Sequence, residues 1–152
     1  MKLTAYTDYT LRTLMYLAVN GDRSSTIAQI AKAYGISEAH LMKIVHQLGA
    51  AGDIKTTRGR NGGIRLAQSA ADINLGAVVR RTEGDMDLVP CFDDIGLCAI
   101  SGVCVLKGVL DDALSAFLAV LDRYTLADLI TPRQGLAALL RVERAGPPAS
   151  AS

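Results

Sequence analysis

The stretch from residue 27 to residue 66 restricts the possible folds more than any other part of this 152-residue chain. Ile27, Ile30, Ala31 and Tyr34 recur at the spacing of a helix with one apolar face, and Gly35 follows as a stop residue suited to the left-handed conformation. Ser37 then offers a capping hydroxyl to a further helix with the apolar stripe Leu41, Ile44, Val45 and Leu48, closed by Gly52. Directly afterwards the apolar period falls to two. Ile54-Lys55-Thr56-Thr57 and Ile64-Arg65-Leu66 flank Arg58-Gly59-Arg60-Asn61-Gly62-Gly63, which reads as a β-hairpin with a basic, glycine-rich tip. Two helices joined by the tight link Tyr34-Gly35-Ile36-Ser37 occur in any three-helix bundle, but with such a hairpin behind them they spell a winged helix-turn-helix.

In that arrangement the second helix enters the major groove of DNA. Its face away from the apolar stripe carries Glu38, Ala39, Met42, Lys43 and His46, with His40 at the edge. Lys43 and His40 suit a phosphate or a guanine, and Ala39 and Met42 suit a thymine methyl. In the hairpin, Arg58, Arg60 and Arg65 offer planar cationic forks, with Asn61 beside them and glycines that let the backbone approach a phosphate chain. For each of these residues a solvated surface is the alternative. A dinucleotide-binding loop is disfavoured, because the glycines do not match G-x-G-x-x-G and a strand follows them. The net charge of +1 conceals a split: residues 1–70 hold nine Lys/Arg against four Asp/Glu, and residues 71–152 hold seven against eleven. A basic half and an acidic remainder fit a polyanion partner for the first part only.

Leu11, Leu14, Met15 and Ala18 place a helix over Thr7–Val19, and a shorter one is expected over Ile73–Thr82. An irregular, acidic segment spans 83–102. Leu106, Leu110, Ala113, Phe117, Val120 and Tyr124 then follow at spacings of 4, 3, 4, 3 and 4, so Cys104–Tyr124 reads as a helix with a packing seam. That seam serves either a second copy of the chain or the chain's own N-terminal helices, and paired half-sites in DNA favour the homodimer. A short helix is expected over Thr125–Ile130 and a disordered tail over Ala145–Ser152. The expected organisation is therefore a DNA-binding unit over 1–82, a cysteine-containing loop over 83–103, a dimerisation helix with a short following helix over 104–131, and a C-terminal segment over 132–152. The expected fold class is mainly α with a small β-hairpin wing and a long C-terminal dimerisation helix. No signal peptide or membrane span is legible, so a cytoplasmic protein with no membrane partner is expected. No Ser/His/Asp or paired-carboxylate arrangement stands out, which speaks against an enzyme.

The chain's three cysteines are spaced Cys91-x6-Cys98-x5-Cys104, an odd number for a disulfide framework. Thiolates this close can converge on one metal centre. Structural zinc usually takes four ligands in tighter pairs, whereas iron–sulfur clusters accept wide spacing and a non-cysteine ligand. Spacing alone leaves a cluster, zinc, redox thiols and inert buried cysteines all open.

Three stretches carry a resemblance: Met1-Lys2-Leu3-Thr4-Ala5-Tyr6-Thr7-Asp8-Tyr9, Gly35 through Val45, and the hairpin Arg58 through Leu66. With the cysteine loop and Phe117–Leu129, they resemble the bacterial iron–sulfur winged-helix regulators of the IscR, RirA and NsrR type over residues 1 to about 143. The helix-turn-helix and the Phe117–Leu129 stretch are most similar to the nitric-oxide-sensing branch. The resemblance implies a repressor that is a homodimer on a palindromic double-stranded operator, with nitric oxide as signal. It implies a 4Fe–4S or 2Fe–2S cluster on Cys91, Cys98 and Cys104. One branch adds a histidine three residues after the last cysteine, where this chain has Lys107. Another adds an N-terminal carboxylate from the partner subunit, a position matched by Asp8. Asp8 equally suits the first turn of a helix, and Arg12 stands at i+4 to pair with it. The first cysteine gap holds six residues where the nitric-oxide branch commonly has five, which keeps an iron- or cluster-status regulator open.

Overall fold

Side-chain caps decide where the helices begin. In the computed structural model, which describes residues 2–60, 62–92, 99–100 and 103–142, Thr4 accepts a hydrogen bond from the Thr7 amide, and α1 (Ala5–Asn20) starts two residues before the expected Thr7. Thr26 and Gln29 form a reciprocal capping box on α2 (Ile27–Tyr34), and Ser37 caps α3 (Glu38–Ala50) through the His40 amide. Between them Gly35 is left-handed at φ 65°, ψ 32°, as the link requires. Asn74 caps α4 (Leu75–Thr82) by accepting from the Ala77 amide, so this helix begins two residues later than the apolar Ile73 suggested. Then come α5 (Val105–Asp122), α6 (Leu126–Leu129) and α7 (Arg133–Leu139), with single 3-10 turns at Ala70–Asp72 and Pro90–Phe92.

The wing consists of β1 (Ile54–Thr57) and β2 (Gly63–Leu66), antiparallel with Lys55 opposite Arg65 and Thr56 opposite Ile64. Ile54 and Ile64 point inward and are buried, while Lys55 and Arg65 share the outer face. Ser25, just ahead of α2, exchanges two backbone hydrogen bonds with Ile64, at 2.8 and 2.7 Å, and braces the wing from the other side.

Leu14 and Leu17 of α1, Ile30 of α2, and Leu41, Ile44 and Leu48 of α3 form the centre of the core. Leu126 and Val142 join the same core, so the C-terminal elements return onto α1. Arg133 fastens that return: its Nε and Nη2 donate to the Val19 carbonyl at 3.2 and 3.0 Å, a cation at the end of α1 where the helix dipole favours one. No helix was expected over 133–139, and α7 is a correction to that reading; it lacks a capping side chain, and its anchor lies in α1. The tail expected over Ala145–Ser152 lies outside the described residues.

α5 runs beside α4 and is fixed there by a bidentate pair, Arg80 with Asp122 at 2.6 and 2.7 Å. Gly76 makes the approach possible, since a Cβ there would stand 1.9 Å from Asp122 Oδ1. The expected seam from Leu106 to Tyr124 is one straight row, because 18 residues at about 100° each close whole turns. It proves to be the border between two apolar faces. Leu114, Leu118 and Leu121 on one side are half-buried, while Val109 and Ala116 on the other are exposed.

Candidate nucleic-acid interface and cysteine centre

All five base-contact candidates on α3, namely Glu38, Ala39, His40, Met42 and Lys43, lie on its exposed side, opposite the buried Leu41, Ile44, Val45 and Leu48. His40 is held rather than free: its Nδ1 is 2.9 Å from Ser37 Oγ, and its ring leans on Tyr9 of α1 at 6.2 Å. Met42 and Lys43 border a recess of about 580 Å³ that also takes in Tyr6, His46, Gln47 and Arg81. Tyr6 and Arg81 thus extend the candidate face onto α1 and α4. Nothing in the local sequence signals this, because the recess is assembled from three separate elements.

In the wing, Arg58 and Arg60 are exposed at the hairpin end, and Asn61 lies outside the described residues. The tip turns sharply: the Gly62 amide donates to the Gly59 carbonyl at 2.9 Å, and a Cβ on Gly62 would meet the Thr57 carbonyl oxygen at 2.2 Å. Arg65 stands in β2, half-buried, with its Nε enclosed and without an acceptor among the described residues.

Two buried carboxylates tie this unit together. Asp53, in the turn between α3 and β1, accepts from Arg81 Nη2 and from Gln68 Nε2, the latter at 3.0 Å. Glu83, just past α4, accepts from the Thr4 amide at 2.8 Å and the Thr4 hydroxyl at 3.0 Å. Burial pushes the Glu83 carboxyl up, but the hydrogen bonds from Thr7 and Thr4 outweigh it and hold the group below its ordinary value.

Of the cysteine set, Cys91 falls in the turn Pro90–Phe92 and Cys98 lies outside the described residues. Cys104 is a free, half-buried thiol at the N-cap of α5 and makes no capping hydrogen bond. Lys107, one turn into α5, reaches back to the Phe92 carbonyl at 3.5 Å and lies 6.0 Å above the Phe92 ring. That contact draws the two ends of the cysteine segment together, next to Cys91 at one end and Cys104 at the other. Three soft sulfur donors within residues 91–104 are a donor set that fits iron–sulfur ligation. Among the described residues no group of three or more His, Cys, Asp or Glu forms a metal site. Asp8 is on the exposed side of the first turn of α1, paired with Arg12 at 2.9 Å, both side chains nearly half exposed. Arg12 in turn lies 5.8 Å over the Tyr34 ring.

Residues 3–132 match the model of the Rrf2 family, described as iron-dependent transcriptional regulators. The chain belongs to the Rrf2 family. It is 52% identical over 145 residues to the HTH-type transcriptional regulator NsrR of Bacillus subtilis, covering 94% of this chain and 99% of that protein. To NsrR of Halalkalibacterium halodurans it is 50% identical over the same length and shares. Among solved structures it is similar to T. potens IscR, with a TM-score of 0.71 and 26% identity over 96% of this chain and 94% of the other. The winged helix-turn-helix read from the sequence is thus the Rrf2 fold, mainly α with a β-hairpin wing and a long C-terminal helix. Rrf2 proteins are transcriptional regulators and not enzymes. Among the described residues no helix is long and apolar enough to cross a membrane.

Proposed function

We propose that this Rrf2 protein is a cytoplasmic homodimeric repressor that binds a palindromic operator and senses nitric oxide through an iron–sulfur cluster. The observation that carries the reading is the 52% identity to a protein named NsrR across nearly the whole of both chains, in a chain that has three cysteines within residues 91–104. Lys107, which reaches the Phe92 carbonyl, stands where the other branch has its histidine ligand, so the reading gives that position no ligand role. Cys91, Cys98 and Cys104 would hold the cluster, and the partner subunit's Asp8 would complete it. When bound, the cluster supplies iron to which nitric oxide can ligate.

The chain's own residues do the rest. Ser37 and Tyr9 hold His40 on the reading helix, where Glu38, Ala39, Met42 and Lys43 face the groove, and Arg58, Arg60 and Asn61 of the wing take backbone phosphates. The exposed apolar row on α5, with Leu106 at 61%, Val109 at 56% and Val120 at 42% exposure, supports pairing with a second α5. The test is operator binding by anaerobically purified protein on DNA selected from a random library, before and after stoichiometric nitric oxide. Loss of binding is expected; unchanged affinity refutes the reading.

A second reading, an iron- or cluster-status regulator, is favoured by the six-residue first cysteine gap and by the family's description as iron-dependent. Slow release of DNA under iron chelation, with nitric oxide no more potent than oxygen, is its distinguishing result.

A further inference from the structure

On the outer side of the wing an open cleft of about 1160 Å³ runs between the end of α1, the strands and α7. Four cations border it: Arg23 from the turn after α1, Lys55 and Arg65 paired across the wing, and Arg133 from α7. One acid, Asp22, shares the rim. Arg133 spends Nε and Nη2 on the Val19 carbonyl, but Arg23, Lys55 and Arg65 have no ion pair or side-chain hydrogen bond to any described residue. Arg65 Nε is enclosed and has no acceptor among the described residues. Unpaired cations gathered around one recess repel one another, and an anion between them offsets that repulsion. Asn20, Gln68 and Gln134 add neutral hydrogen-bonding groups around the same space.

We propose that this cleft is a binding site for a small organic or inorganic polyanion, carrying carboxylates or phosphates, whose oxygens pair with the Arg65 guanidinium through its terminal nitrogens while Lys55 and Arg23 balance its charge. No residue of α3 lines the cleft, so the reading helix is not part of it. That favours a small anion entering the recess over the phosphates of a duplex lying on α3. Because Lys55 and Arg65 belong to the wing and Arg133 to α7, an occupant bridges the two and stiffens the wing against the α1–α7 corner. The site is independent of the cysteine centre, and its test does not need the cluster.

The test is isothermal titration of the full chain with inorganic phosphate, pyrophosphate and citrate, with operator affinity measured in parallel. At least one probe should bind saturably, one per chain. Lys55→Gln, a change of an exposed side chain, and Arg65→Gln should each weaken it at least tenfold, with Arg65→Lys intermediate and the tip variant Arg58→Gln unchanged. Saturable binding by none of the three probes, or binding indifferent to Lys55→Gln and Arg65→Gln, overturns the proposal. So does a pattern in which both variants reduce operator affinity and its salt dependence as much as Arg58→Gln does, since the cleft would then belong to the DNA interface.

Discussion

Replacing Arg81 by Gln tests whether the wing is held to α4 by a buried charge. The Asp53 carboxylate has only 5% of its side chain exposed, and among the described residues its side-chain partners are Arg81 and Gln68. Glutamine at 81 leaves that carboxylate with one neutral donor. A hydrogen bond to a charged group contributes about 1.5–3 kcal/mol, and loss of a partner from a buried pair lies at or above that range. Arg81 itself is 42% exposed, so water takes over part of its role and the expected destabilisation is about 2 kcal/mol. In a chain of this size that lowers Tm by about 4–8 °C. The assay is urea unfolding at fixed protomer concentration, where the midpoint should fall with m unchanged. Arg80→Gln, one residue away at the exposed pair with Asp122, provides the reference and should give a smaller drop. Combining Arg81→Gln with Asp53→Asn should show non-additivity of at least about 1 kcal/mol. A destabilisation within about 0.5 kcal/mol, the range of ordinary surface substitutions, or strict additivity in the cycle would refute the argument.

Glu83, held below its ordinary value near 4.5, takes up its proton in the unfolded chain before it does so in the folded one, so it stabilises the fold above that value and the contribution fades as pH falls through the depressed one. Acid unfolding should therefore be shallower between about pH 5 and 3 in Glu83→Gln than in the parent, and parallel curves would count against the Thr4 and Thr7 hydrogen bonds. Gly62→Ala forces a Cβ against the Thr57 carbonyl and should lower operator affinity by moving the tip, with Tm little changed because the tip is exposed; a gel-shift titration and a melting curve separate the two. The log–log dependence of operator affinity on salt should lose about 0.9 in slope for each phosphate contact removed by Lys43→Gln, Arg58→Gln or Arg60→Gln. Asp8→Ala should alter the visible and resonance Raman spectra of the anaerobic protein while leaving the dimer folded, and unchanged spectra would dismiss Asp8 as a ligand.

Features encoded within a few residues were legible in the sequence. The Ser37 cap, the left-handed Gly35 and the change of apolar period at Ile54 each need no distant partner, so the helix-turn-helix and wing were read with small errors at their ends. The Asp8–Arg12 pair is of the same kind, an i,i+4 contact on one helix face. What escaped was encoded across distance. α7 has weak local signals and depends on Arg133 reaching Val19, 114 residues earlier. Glu83 looked like the first acid of an irregular segment, yet its partners are at the opposite end of the domain, 79 residues away at Thr4. The α5 seam was read only in part, for another reason: a heptad-like row identifies an apolar direction but not the width of the apolar arc, and here the arc is wide enough for two faces.

The exit of α4 is where these long-range contacts converge. Arg81 binds Asp53, between the reading helix and the wing; the Thr82 hydroxyl accepts from the Thr7 hydroxyl at 2.9 Å; and Glu83 holds the N-cap of α1 through Thr4. Three successive residues are thus fastened to the wing turn, the body of α1 and its start. The chain leaves this knot and reaches Cys91 eight residues later, while Asp8 lies one turn along α1 from Thr4. α5, which follows Cys104, is clamped to α4 by Arg80 and Asp122 from the opposite side. Under the proposed function, a change at the cysteine centre acts on a segment anchored at both ends to α4, and α4 is joined to the reading unit by buried charge rather than by a loose linker. A shift of α4 therefore has to move the Asp53 turn or break its pairing with Arg81. Buried pairs resist breaking, so the turn, and with it the wing relative to α3, is the part expected to move.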